Sequence, residues 1–282
     1  RSITDFAKYT PQSQGNSFGG RDGRFNTITV DGAAFNNNFG LSSNPLPGGN
    51  AQPISLDAIE EISVSVAPYD VTRSQFTGAS INAVTKSGDN TFKGSVYTYM
   101  RPKSFTGNTV DGNDVAGAND RNSQNYGLRF GGPIIKNKLF FFVSGEYEKE
   151  SSPSGAWEPS TNGTVDLTNR ISRTTVADLE RAKNHLMNTY GYDPGEYQNF
   201  SAFPSQNYKI LARIDWNIAR NHKFVARYNR LRNTSTSLTN ASSGPSGVPR
   251  SNYSRVGEKS ISFSNAFYGN ENAIDAFAAE LN

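Results

Sequence analysis

The chain of 282 residues has no cysteine, two histidines, two methionines and two tryptophans. Without cysteine there is no disulfide scaffold, thiolate metal centre or cysteine nucleophile. His185 and His222 stand too far apart for a short ligand spacing, so zinc is not expected. No apolar run approaches the roughly 20 residues that a membrane-spanning helix needs. The first ten residues, RSITDFAKYT, lack the basic-then-apolar pattern of an export signal. There is no Lys/Arg block either: 28 basic residues are interspersed with 25 acidic ones for a net charge of +3, and nucleic acid is not an expected partner. These absences exclude a helical membrane protein but not a β-barrel, whose strands alternate apolar and polar residues and keep hydropathy low while aromatics stay plentiful. A mean hydropathy of -0.61 fits that profile, as do 18 Phe and 13 Tyr.

The texture of what is present changes near residue 91. Residues 1–90 are rich in Gly, Asn and Ser, with short apolar stretches. Ile62, Val64 and Val66 alternate with Glu61, Ser63 and Ser65 as a strand does, while SLDAIEE opens like a helical turn capped by Ser55. This is a small mixed α/β unit with too little apolar content to stand alone, and it is expected to pack inside something larger. From residue 91 onward long strands are expected at 92–102, 125–132, 138–150, 208–217, 222–232, 255–269 and 273–282. Their connections alternate: long at 103–124, 151–207 and 233–254, short at 133–137, 218–221 and 269–272. Outer-membrane barrels sort their connections this way, with short periplasmic turns and long extracellular loops.

Side-chain alternation agrees. Leu139, Phe141, Val143 and Tyr147 oppose Ser144, Glu146 and Glu148; Tyr208, Ile210, Ala212, Ile214 and Trp216 oppose Lys209, Arg213, Asp215 and Asn217; Tyr126, Leu128 and Phe130 oppose Asn125 and Arg129. One face suits lipid and the other a wet lumen. Tyr208 and Trp216 lie eight steps apart, about 26 Å, close to the ~25 Å apolar band between aromatic girdles. A large antiparallel sheet with one solvated face is the alternative that strand pattern alone leaves open.

Catalytic patterns are missing: there is no Gly-x-Ser-x-Gly elbow and no phosphate-binding loop. Glu146 and Glu148 share a strand face, but a charged lumen row is more commonly a solvated wall than an acid/base pair. The loop DGNDVAGANDRN offers Asp111, Asp114 and Asp120 to calcium, yet Val115 and Ala116 break the EF-hand spacing. In the long insert, TTVADLERAKNHLMNTYGYDPG reads as a helix capped by Thr175 and stopped by Gly191 and Pro194; it grips a ligand or braces the loop.

Several segments also resemble a known family. ITVDGAAFNNNFGL, followed by ISLDAIEEISVSVAPYDVTRSQFTGASINAVTKSGDNTFKGSVYTY, resembles the plug domain of TonB-dependent outer-membrane receptors running into the first barrel strand. NYGLRFGGPIIKNKLFFFVSGEYE resembles the second and third barrel strands of the Oar-like branch, common in Bacteroidetes and Myxobacteria. The resemblance is good over residues about 20–150 and rests on texture elsewhere. It implies an outer-membrane antiparallel β-barrel, partial, with about seven of about 22 strands, and an N-terminal mixed α/β plug domain in the lumen. Residues 1–90 are the C-terminal portion of the plug, and 91–282 the first part of the transmembrane barrel. The TonB box is expected upstream of Arg1, the chain being an internal piece of a longer receptor.

The function implied is import of an unidentified ligand by plug-gated, energy-coupled transport across the outer membrane of a Gram-negative bacterium, without enzymatic chemistry, metal or cofactor. The implied partners are the TonB energy-transducing complex, outer-membrane lipid, the remainder of the same receptor, and a surface lipoprotein or secretion component. Asp31 and Gly32 form a tight reversal that faces the ligand or is an ordinary turn. Arg73 latches the plug to Glu146 or Glu148, or stands solvated. Lumen-wall candidates are Arg129, Glu146, Glu148, Arg213, Asp215 and Arg227. The alternative function is an Oar-like protein of surface assembly, adhesion or secretion. A soluble polysaccharide-binding or hydrolysing β-protein is a third reading.

Overall fold

The structure, a computed structural model, describes residues 3, 9–15, 17–36, 52–66, 78–105, 107, 109–114, 122–152, 156–200, 203–239 and 256–282. A short hairpin, β1 (Ser13–Gln14) with β2 (Ser17–Phe18), precedes a four-stranded sheet made of β3 (Thr27–Val30), β4 (Ala33–Ala34), β5 (Ile59–Val66) and β6 (Ala79–Thr85) in the order β4-β3-β6-β5. β3 runs parallel to β6, and β5 antiparallel to it. Asp31 and Gly32 join β3 to β4 with φ of 49° and 84°. Two positive φ values in a two-residue hairpin are what Asp-Gly accepts at low cost. Ile28, Val30, Ile54 and Ile81 are buried at the centre of this N-terminal unit. The turn expected at SLDAIEE is a 3-10 helix, Leu56–Ala58, capped by Ser55 Oγ, which accepts from Asp57 N at 3.2 Å.

The chain continues through β7 (Lys93–Arg101), the small hairpin β8 (Thr109–Val110) and β9 (Asn113–Asp114), then β10 (Asn122–Ile135) and β11 (Leu139–Ser152). The next long connection holds β12 (Glu158–Ser160) and β13 (Ile171–Thr175), paired in parallel, and the helix α1 (Val176–Tyr190). β14 (Phe203–Ala219), β15 (His222–Ser237) and β16 (Tyr268–Leu281) complete it. The long strands form one antiparallel sheet in the order β16-β15-β14-β11-β10-β7. Between β6 and β7, Asp89 pairs with Lys93 and accepts from Thr91 N at 2.8 Å. These bonds, led by that to Lys93, hold its carboxyl down at about 2.

This wall has the expected two faces. Tyr126, Leu128, Phe130, Ile210, Ile214 and Trp216 are exposed on the outside. Phe142, Ser144, Lys209, Leu211 and Asp215 are buried on the inside, where the N-terminal unit lies. Phe142 and Leu211 pack on Ala58, while Ile274 and Ala276 of β16 pack on the core around Ile28 and Ile81.

Register gives an independent measure of shape. Leu139 pairs with Trp216, so the first hairpin tip, Asn137, projects onto Ile218. The second tip lies at Arg220–Asn221, two to three residues farther along and two strands away. With both tips at one depth, an offset of about 8 Å over two strand spacings of ~4.8 Å corresponds to a tilt of about 40°, inside the 35–45° typical of barrels.

Two expectations fail here. About seven barrel strands were expected, and the described residues hold six. From residue 256, where its description begins, the segment expected as a strand at 255–269 is irregular until Tyr268, and the expected turn at 269–272 lies inside β16, where Asn270 pairs with Ser235 and Asn272 with Asn233. Its alternating aromatics are used in loop packing instead: Phe263 meets Tyr197, and Phe267 meets Phe200 and Phe203. Backbone bonds tie the same stretch to the insert, with Arg173 N donating to Glu258 O at 2.8 Å and Ser264 N to Glu196 O at 2.7 Å. The polar run Asn-Glu-Asn looks like a turn in sequence, but Asn270 and Asn272 are both half-buried and Asn270 Nδ2 donates to Ser237 Oγ at 2.7 Å.

The helix in the insert forms as expected. Thr175 Oγ1 accepts from Asp178 N at 3.1 Å, and Gly191 closes the C-terminus at φ 63°. Thr175→Ala should cost about 1 kcal/mol of local stability, read as faster amide exchange over 176–180 with no change in the wall.

Candidate functional site

Charged and hydroxyl side chains join the N-terminal unit to the wall at two levels. At the first, Glu146 on β11 faces Lys209, its direct partner on β14, with 2.6 Å between Oε1 and Nζ. Ser55 Oγ lies 2.9 Å and Tyr97 Oη 2.5 Å from Glu146 Oε2, and the two hydroxyls are 2.7 Å apart. Beside them Asp57 Oδ2 accepts from Ser95 Oγ at 2.8 Å and pairs with Arg129 Nε at 2.9 Å. Arg129 Nη1 and Lys86 Nζ both donate to Asp57 O, at 3.2 and 2.8 Å.

The second level lies toward the short-turn end. Arg213 and Arg227 are direct partners on β14 and β15, and like charges placed so repel. Carboxylates offset this. Asp215 takes Arg213 in a two-pronged pair at 2.8 and 3.0 Å and Lys223 at 3.1 Å, and Glu280 pairs with Arg227. The third carboxylate, Asp31, belongs to the N-terminal unit: its Oδ2 is 3.3 Å from Arg227 Nη1 and its Oδ1 3.9 Å from Arg213 Nη1. Thr85 holds Asp31 in place, its N and Oγ1 donating at 2.8 and 2.6 Å. Arg213 Nη1 donates to Thr85 O at 2.9 Å, a second bond from the wall to the unit.

Among the described residues, four of the six wall candidates contact the unit directly: Arg129, Glu146, Arg213 and Arg227. Asp215 acts through Arg213. Among the described residues, Glu148 bonds along the wall, to Asn207 Nδ2 at 3.1 Å and Lys209 Nζ at 3.5 Å. Asp31 corrects the expectation of a ligand-facing turn, because its side chain is only 4% exposed and faces two arginines. Gly32 supplies the turn and is exposed. Arg73 lies outside the described residues. Sequence reasoning gave Ser55 only a capping role and passed over Asp57, Thr85, Ser95 and Tyr97. No spacing rule flags such partners, although Asp57 does follow the Ser55 cap in the segment that resembles the plug.

An antiparallel wall of long strands, apolar on one face and charged on the other, with a small separate sheet packed on the charged face, defines part of an outer-membrane type of β-barrel. The chain belongs to the outer membrane beta barrel domain family, whose profile matches residues 84–274, and it resides in the outer membrane of a Gram-negative bacterium. Over 153 residues it is 32% identical to the TonB-dependent transporter Oar of Myxococcus xanthus, covering 51% of this chain and 14% of that protein. In fold it is similar to the siderophore receptor PirA from Acinetobacter baumannii, with a TM-score of 0.53 at 17% identity over 99% of this chain and 35% of that one. The outer membrane transporter YddB from Escherichia coli gives a TM-score of 0.53 at 11% identity over 94% of this chain and 30% of that one. These relatives are described as transporters and receptors rather than enzymes.

Proposed function

We propose that this chain is part of a TonB-dependent receptor in which residues 1–90 act as the plug and residues 91–282 as the first part of a barrel of about 22 strands. The receptor imports a ligand captured by the long, extracellular connections, using energy delivered through the TonB complex. The observation that carries this reading is Asp31 seated between two mutually repelling wall arginines. Three cations, Arg213, Lys223 and Arg227, balance three carboxylates, Asp31, Asp215 and Glu280, only while the plug is docked. Hydrogen bonds of about 0.5–1.5 kcal/mol each and partly wet ion pairs of ~0–1 hold such a unit collectively while each can be exchanged for water when it moves.

Asp31→Ala in the full-length receptor should increase entry of a large glycopeptide antibiotic into cells several-fold. Unchanged susceptibility, with unchanged amide exchange over 79–85, would rule out Asp31 as a gate contact. The purified receptor should also bind the periplasmic domain of TonB. Lack of binding would favour the second reading, an Oar-like surface-assembly protein, for which the mutual tie between residues 156–200 and 256–267 supplies a stiff surface module.

A further inference from the structure

Tyr97, Gly127 and Glu146 sit in one register row across β7, β10 and β11. Tyr97 on the first strand has its hydroxyl on Glu146 of the third, so its ring must cross the middle strand. It does so at Gly127: a Cβ there would lie 2.0 Å from Tyr97 Cζ, 2.3 Å from Oη and 2.5 Å from Cε2. No other residue type fits without moving the ring. The glycine is not required by the backbone, since its φ is not among the positive values of the chain. Glycine inside a strand costs stability through chain entropy and lost packing, and the space it leaves for Tyr97 is the compensating gain. Gly132 receives Phe92 in a similar way, but on the lipid face and with no hydroxyl to bond.

We propose that Gly127 is a positioning residue: a notch in the wall through which Tyr97 reaches over β10 and bridges Ser55 of the plug to Glu146. The three oxygens make short contacts along all three edges, 2.5, 2.7 and 2.9 Å, with two hydroxyl protons between them. Tyr97 donates to the carboxylate, and Ser55 donates to either neighbour. Losing the tyrosine hydroxyl therefore leaves Ser55 one acceptor fewer and Glu146 one donor fewer. The inference rests on residues 1–90 being the plug, and it makes this side of the plug depend on a residue that touches neither Ser55 nor Glu146 through a side chain of its own.

The test uses full-length receptor in detergent, with amide exchange over 55–58 as the local readout and over 79–85 as the control. Tyr97→Phe keeps the ring in the notch without the hydroxyl and should speed exchange over 55–58 about tenfold, leaving 79–85 and the thermal midpoint of the barrel unchanged. Gly127→Val should give the same local effect by displacing the ring. If that variant does not fold, Gly127→Val combined with Tyr97→Ala removes the clash and should fold with exchange as fast as in Tyr97→Phe. Parent-like exchange over 55–58 in Tyr97→Phe, or in a folded Gly127→Val protein, overturns the proposal. Faster exchange without added antibiotic entry, in Tyr97→Phe and Asp31→Ala alike, would retain the tether and refute the plug.

Discussion

Lys209→Met should destabilise the folded protein by about 3–5 kcal/mol, the range for leaving one member of a buried ion pair without its partner. The side chains of Lys209 and Glu146 are 5% and 7% exposed and meet at 2.6 Å. Without the ammonium group, Glu146 retains, among the described residues, the neutral donors Ser55 and Tyr97. Glu148, whose Oε2 is 3.5 Å from Lys209 Nζ, becomes an unbalanced like charge nearby. The cost comes from the stranded carboxylate rather than from the attraction itself, since the desolvation of both groups offsets much of the Coulomb gain when the pair is intact. Glu146→Gln together with Lys209→Met should therefore recover most of the loss. Urea unfolding of the full-length protein in micelles checks both variants. A midpoint for Lys209→Met equal to the parent's would show that burial at this site imposes no charge balance, and a double variant no better than the single would assign the lysine some other role.

The barrel faces were legible in the sequence because the strand period is two and the apolar band is unforgiving: each of Tyr126, Leu128, Phe130, Ile210, Ile214 and Trp216 is exposed on the outside as their alternation required. Wall charges were legible for the same reason. Arg213 and Arg227 were both expected on the inner face, and the register then sets them directly opposite each other, which calls for a carboxylate between them. Which carboxylate it was could not be read. Asp31 and Arg213 are far apart in sequence, and Asp-Gly specifies a turn without saying what the aspartate meets. Ser55 had a sufficient local explanation as a helix cap, which hid its second role beside Glu146. The false strand at 255–269 shows the complementary failure: Ile261, Phe263 and Phe267 fit a strand by alternation, but Phe263 and Phe267 are taken up by Tyr197 and Phe200 of the other long connection and by Phe203 at the start of β14. Local pattern reports that a side chain needs cover, and only the tertiary fold decides what covers it.

Val143→Arg should be the most damaging single change on the outer face, at about 2–4 kcal/mol. Val143 pairs with Ala212, which lies four residues from Tyr208 and four from Trp216, so it occupies the middle of the apolar band. The wall does carry outward arginines, and their positions show why this one differs. Arg230 pairs with Asp275 at 3.6 Å and Arg232 with Glu271 at 3.4 Å. By register Arg232 lies opposite Tyr208. A strand tilt of about 40° shifts equal depth by roughly one residue per strand toward the short-turn end, which brings Arg230 and Asp275 to the level of Tyr208. Both arginines are thus at the boundary where a tyrosine girdle stands and where a charged head reaches water, and each has a carboxylate. An arginine at position 143 has no acidic neighbour on its face among the described residues, with Phe130 and Ala212 as its cross-strand partners, and its stem must run half the thickness of the band to reach water. Val143→Leu should be near neutral, whereas Val143→Arg should lose the folded, heat-resistant band on a cold gel and accumulate unassembled. Assembly of Val143→Arg at the parent level would mean that this face meets protein or water instead of lipid.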